Sequence, residues 1–166
     1  PLKMIINDLG ELVGMIKKTT ASEKISITPI FCACNEKQYT HAVDYISREF
    51  NVDNLAILDL GNAHEKSGLW NRLKPFEKNV EKSKGDFVIL KMINYNAGFE
   101  NKSPIEAHYE GHTFVQRMRD SFVHLKIKRK FLPIMHINSS DEKIAYKNAV
   151  KSIANCQFPI LFYEKK

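Results

Sequence analysis

Residues 106–112, EAHYEGH, bring Glu106, His108, Glu110 and His112 into one short stretch, two imidazoles and two carboxylates. On a helix His108 and His112 would share a face and could hold a divalent metal. Gly111 and the loop-like flanks argue for irregular backbone instead. No distant third ligand is identifiable, so the cluster is read as a solvated loop and no metal site is assigned. Cys32 and Cys34 stand two apart, which on a strand places both thiols on one face. They are read as small apolar groups filling a helix-to-sheet contact rather than a reactive pair, because free Cys is among the most buried residue types. The basic run Lys126, Lys128, Arg129 and Lys130 follows a predicted helix carrying Arg117 and Arg119. Together these six could form a cationic strip that contacts phosphates. The competing reading is a solvated helix end whose positive charges suit the helix dipole.

Those residues need elements to position them, and the apolar pattern supplies an alternation of strands and helices. Phe87 to Ile93 is an almost unbroken apolar run bounded by Gly85 and by the polar loop Asn94-Tyr95-Asn96-Ala97-Gly98; it reads as a buried central strand. Ser26 to Ala33, Leu55 to Leu60, Phe131 to Ile137 and Phe158 to Tyr163 read as further strands. Pro29 marks either the start of the hydrogen-bonded part or an edge. Helical spacing of apolar residues predicts helices over Leu2 to Lys18, Glu36 to Phe50, His64 to Lys84 with a break at Pro75, and Thr113 to Leu125. Ser139 and Glu142 form a capping-box signature for one more helix. Strands alternating with helices of this length imply parallel pairing through right-handed crossovers. The expected fold is thus a three-layer α/β sandwich of Rossmann-like or RecA-like type, with about five mostly parallel strands and helices on both faces. Ligands of such sheets bind at the carboxyl ends of the strands. Asn35, Asn62, Asn94 and Asn138 each follow a predicted strand and could line a pocket there, although Asn also favours tight turns.

Composition frames these readings. A chain of 166 residues with 43% apolar content is enough for a single domain with its own core. Its start at Pro1 rather than Met leaves a processed fragment of a larger protein open. The net charge of +6, from 25 Lys and Arg against 19 Asp and Glu, favours an anionic partner such as nucleic acid. Three cysteines without C-x-x-C spacing indicate neither a disulfide framework nor a thioredoxin motif, so an intracellular, reducing compartment is expected. No apolar run approaches a membrane span, and no membrane partner is expected. The phosphate loop G-x-x-x-x-G-K-S/T, the dinucleotide fingerprint G-x-G-x-x-G and the nucleophile elbow G-x-S-x-G are all missing from the sequence. A self-contained NTPase, dehydrogenase or hydrolase is not supported, and no cofactor is indicated.

The order of features resembles the C-terminal RecA-like lobe of superfamily 2 helicases and translocases. PLKMIINDLGEL stands where that lobe has a helix before its first strand, ITPIFCACN is similar to that strand, and EKQYTHAVDYISREF to the helix that follows. FVILKMINYNAGFEN occupies the place of a motif that contacts nucleotide and nucleic acid. TFVQRMRDS stands where family members carry the arginine-finger motif Q-R-x-G-R, and KFLPIMHINSSDEKI resembles the strand and helix after it. The resemblance carries over Gln116, Arg117 and Arg119 and implies a second nucleotide-binding lobe as partner; Asn94, Asn96 and Gly98, in the loop at the carboxyl end of the central strand, are candidate ligand contacts beside Gln116. Gln116-Arg117-Met118-Arg119 is one residue shorter than the family's motif and lacks its glycine.

Two function classes follow. One is a nucleic-acid-associated lobe that grips phosphates through the basic strip and needs a partner lobe for NTP hydrolysis. The other is a small Rossmann-like or flavodoxin-like enzyme with a ligand over the strand ends. A protein interaction module is a third. The position of the bases discriminates the first two: one open face favours nucleic acid, a surround of a pocket favours the small ligand.

Overall fold

The computed structural model describes residues 3–22, 26–62, 69–93, 128–138 and 160–164. In chain order, Lys3–Ile6 (β1) leads into Leu9–Thr20 (α1), and Ser26–Ile27 (β2) and Ile30–Cys34 (β3) lead into Glu36–Glu49 (α2). Ile57–Asn62 (β4) precedes Leu69–Leu73 (α3) and Glu77–Lys82 (α4), and Phe87–Ile93 (β5), Lys130–Asn138 (β6) and Ile160–Glu164 (β7) complete the described elements. The strands form one sheet in the order β1-β7-β3-β6-β5-β4, with β2 paired to the start of β6. Every one of these pairings is parallel. The fold is therefore the α/β sandwich with a mostly parallel sheet that the alternation implied.

The path of the chain fixes the layers. From β1 to β3 and on to β4 it steps one way across the sheet; from β4 through β5 and β6 to β7 it steps back. Right-handed crossovers then place α1 and α2 on one face and α3 with α4 on the other. The core on the first face joins Leu12 and Ile16 of α1 and Tyr39, Val43 and Ile46 of α2 to Ile30, Cys32, Ile89, Leu132, Ile134 and Leu161 of the strands. Side chains alternate across a strand, so Phe31, Val88, Leu90, Phe131 and Met135 point to the opposite face, and all are buried too. Burial on both faces is why these strands read as continuous apolar runs rather than as alternating ones.

Three expectations need correction. The helix predicted from Leu2 onward is two elements: Lys3–Ile6 pairs with β7, and the helix begins only after Asp8, whose carboxylate accepts the Glu11 amide at 2.9 Å. Met4, Ile5 and Ile6 fit a helical stripe and a strand equally well. A partner strand at the opposite end of the chain, β7, decides between them. Second, the single strand across Pro29 is divided. Pro29 has no amide to donate, and β3 resumes at Ile30 as an interior strand, with the Pro29 carbonyl accepting from the Leu161 amide at 3.1 Å. Third, β5 is interior but sits one strand from the β4 edge; the middle of the sheet is β3 beside β6.

The helix ends follow ordinary capping rules. Asn35 and Gln38 form a reciprocal capping box at the start of α2. Asn51, at a φ of 52°, turns the chain out of that helix with its amide on the Arg48 carbonyl. Pro75 lies in a 3-10 turn, Lys74–Phe76, that separates α3 from α4 and accounts for the predicted break. Gly85, at a φ of 108°, makes the entry to β5, a conformation that a side chain would strain. Residues 113–125 and the Ser139/Glu142 capping signature lie outside the described residues.

Candidate ligand-binding cleft

Parallel strands send all their carboxyl ends to one edge, and α1 and α2 both start there. β1 and β3, which feed these helices, lie two strand spacings apart with β7 between them. That separation, about 9.5 Å, equals the distance at which two helices pack, so α1 and α2 straddle β7. Over the end of β7, between the two first turns, lies a cleft of about 480 Å³. Asn7, Asp8, Leu9 and Gly10 form one wall, the α2 residues Lys37, Gln38, His41 and Tyr45 form the other, and Tyr163 of β7 is the floor. Lys37, His41 and Tyr45 recur every four residues and so form one ridge on α2. The apolar face Tyr39, Ala42, Val43 and Ile46 turns into the core.

Beneath the cleft the sheet carries Tyr163, Cys32 and His136 side by side. Cys32 pairs in register with Tyr163 on one side and with His136 on the other. His136 is buried, and its Nε2 lies 2.9 Å from the Cys34 carbonyl. A carbonyl can only accept, so that nitrogen carries the proton and the ring's tautomer is set. Tyr39 leans over the imidazole with ring centroids 5.1 Å apart and donates its hydroxyl to the Ile134 carbonyl at 2.7 Å. Burial pushes the Cys34 thiol up to about 11, and it pushes Cys32 up as well, with the Cys34 charge adding to the effect. Both thiols are therefore protonated packing groups, in keeping with their reading as filler between helix and sheet. Burial also raises the Tyr163 phenol, with smaller contributions from Cys34, Cys32 and Asp8, so it presents an O–H donor to the cleft.

The predicted site residues fall at two places or outside view. Asn94, Asn96, Gly98, Gln116, Arg117, Arg119 and Lys126 lie outside the described residues, as does the EAHYEGH cluster. Lys128, Arg129 and Lys130 stand at the amino end of β6, across the sheet from the cleft. Lys128 is exposed. Arg129, expected at the surface, is half-buried: its guanidinium donates to the hydroxyl and the carbonyl of Ser83 at the end of α4. Lys130 belongs to β6 itself and holds its ammonium 5.4 Å from the centre of the Phe87 ring. Of the four asparagines, Asn35 is the cap of α2, Asn62 and Asn138 end β4 and β6, and Asn94 lies outside the described residues. No group of three or more His, Cys, Asp or Glu among the described residues is placed to hold a metal.

No protein-family model and no curated protein matches this chain. The site has to be argued from its own geometry. Sequence reasoning missed all of its lining residues, for two reasons. With β1 taken as helix, Asn7 and Asp8 did not register as a loop at a strand end, nor Leu9 and Gly10 as a helix start. Tyr163 and Asp8 meet only because the two ends of the chain pair as adjacent strands. The spacing of Lys37, His41 and Tyr45 along one predicted helix was the signal that could have found the other wall.

Proposed function

We propose that this chain is a ligand-binding α/β domain whose small-molecule site is the cleft between the first turns of α1 and α2. The observation that carries the reading is the placement of that cleft at the carboxyl edge of a parallel sheet, where Asn7, Asp8, Lys37, Gln38 and His41 share the lining with Leu9 and the rings of Tyr45 and Tyr163. Its volume lies within the range of about 300–1,000 Å³ usual for sites that enclose a small molecule. A hollow of similar size, about 470 Å³, borders Asp44, Arg48, Asn51 and Asp53, but it lies at the amino edge, where such sheets do not build ligand sites.

A thermal-shift panel of nucleotides, sugar phosphates, carboxylic acids and neutral sugars tests this reading. Gly10→Leu is the control. A Cβ at Gly10 would stand 3.1 Å from Asp8 Oδ2 and 3.8 Å from the Tyr45 hydroxyl, so a leucine there projects into the space a ligand needs. Stabilisation of the parent chain that Gly10→Leu abolishes is the expected result. Ligands that stabilise both chains equally would place the site elsewhere.

A second reading keeps the resemblance to the helicase lobe: binding of phosphate backbone by the basic run, with a partner lobe supplying nucleotide. The exposure of Lys128 favours it, together with the net charge of +6. It ranks lower because Arg129 and Lys130 have structural reasons to be where they are. Its test is oligonucleotide binding across a salt series, in which Lys128→Ala should flatten the log-log slope by about one.

A further inference from the structure

Tyr163 is only 3% exposed, and it forms the floor of the cleft. Its hydroxyl has no hydrogen-bond partner among the described residues, whereas the similarly buried Tyr39 satisfies its own on the Ile134 carbonyl. The ring is packed but the hydroxyl oxygen opens into the cleft, where it is a donor available to a ligand's polar atom. The groups around it are mostly donors. Gln38 uses its carbonyl oxygen to accept the Asn35 amide at 3.1 Å, which leaves its NH₂ as the end free to bind. Lys37 is exposed at the rim and offers an ammonium. The amides of Leu9 and Gly10 begin α1 and have no acceptor within it. Asp8 is the one acid in the lining, and one of its oxygens already accepts the Glu11 amide.

We infer that the cleft takes a small organic anion, a single carboxylate or phosphate-type group on an apolar or ring-shaped body. The inference rests on the ligand-binding reading above and adds the chemistry of the ligand. The oxyanion is bound by Tyr163 O–H, Gln38 NH₂ and Lys37, which line the same cleft, because each of these donates and an oxyanion only accepts. One lysine set against Asp8 suits a singly charged head better than a polyphosphate. Leu9 and the Tyr45 ring supply the wall for the body, and a bare inorganic anion would leave most of 480 Å³ empty.

The test is a chemical-shift titration of the whole 166-residue chain with benzoate, phenyl phosphate, the neutral isostere benzamide and inorganic phosphate. Benzoate or phenyl phosphate should move the amide signals of Leu9, Gly10 and Gln38, with benzamide at least about tenfold weaker. Lys37→Gln and Tyr163→Phe should each weaken the anion by about fivefold or more while the remaining spectrum overlays that of the parent. Tyr163→Phe removes the hydroxyl and keeps the ring, so a loss there reports the hydroxyl. Benzamide binding the cleft as tightly as benzoate would overturn the anion and leave the ligand site standing. Inorganic phosphate matching phenyl phosphate would overturn the organic body. If none of the four probes moves those signals, the anion and the cleft reading fall together.

Discussion

Arg129 illustrates how a charge that reads as a binding group can belong to the fold. Its guanidinium caps the end of α4 at Ser83, next to Asp53, which accepts the Lys84 amide at 2.8 Å and the Ala56 amide at 3.1 Å. Removing it leaves those carbonyl and hydroxyl groups without their charged donor, so Arg129→Ala should destabilise by about 1.5–3 kcal/mol in urea unfolding. Lys128→Ala, at an exposed position, should change stability by less than about 0.5 kcal/mol. Equal effects at the two positions would contradict the assignment. Asp53 adds a pH signature. The Lys84 amide holds its carboxyl below the ordinary 3.8, with the Ala56 and Leu55 amides and the Arg129 charge acting in the same direction against some desolvation. A group lowered in the folded state contributes stability above its ordinary value and loses it as pH falls through the lower folded value. Melting temperatures from about pH 5 downward should therefore fall more steeply for the parent than for Asp53→Asn, and parallel curves would remove Asp53 from the balance.

At the scale of elements, the strands that pack on both faces were the easiest to read. Ile89 shows no exposure and lies under α2 on β5, so Ile89→Ala should cost about 2–5 kcal/mol, measured as a shift in denaturation midpoint at unchanged slope. A near-native midpoint would remove β5 from the sheet interior. The boundaries of β5 were legible from Gly85 and the polar loop that bound its apolar run, and those of α2 from apolar periodicity, with the Asn35/Gln38 box that starts the helix emerging only in the structure. β1 was not legible. Its four residues carry no turn signal until Asn7 and Asp8, and what makes them a strand is a parallel partner at Ile160–Glu164, which no local pattern can announce. The cleft inherits that blindness, since one of its walls begins where β1 ends. On that same wall, Gly10 offers a further check at this scale. Gly10→Leu should leave the melting temperature within a few degrees, because gain in helix propensity offsets the displaced Asp8 carboxylate.

For the whole molecule, topology separates two edges with different chemistry. The carboxyl edge carries the cleft with Lys37, Gln38 and Tyr163; the amino edge carries Lys128, Arg129 and the Ser83 and Asp53 contacts. No helix among the described residues is long and apolar enough to cross a membrane. With no phosphate loop in the sequence, the purified chain should show no ATP turnover in a coupled assay, and turnover that follows the chain through every purification step would demand a site not recognised in it. The proposed site at the carboxyl edge and the alternative at the amino edge both call for an anion, and they differ in where it binds. The most direct test is a crystal structure of the chain soaked with whichever panel compound stabilises it most. The account predicts that compound between Lys37 and Gly10 with a polar atom within hydrogen-bonding distance of the Tyr163 hydroxyl. Density for it at the amino edge beside Lys128, with the cleft empty at full occupancy of the other site, would contradict it.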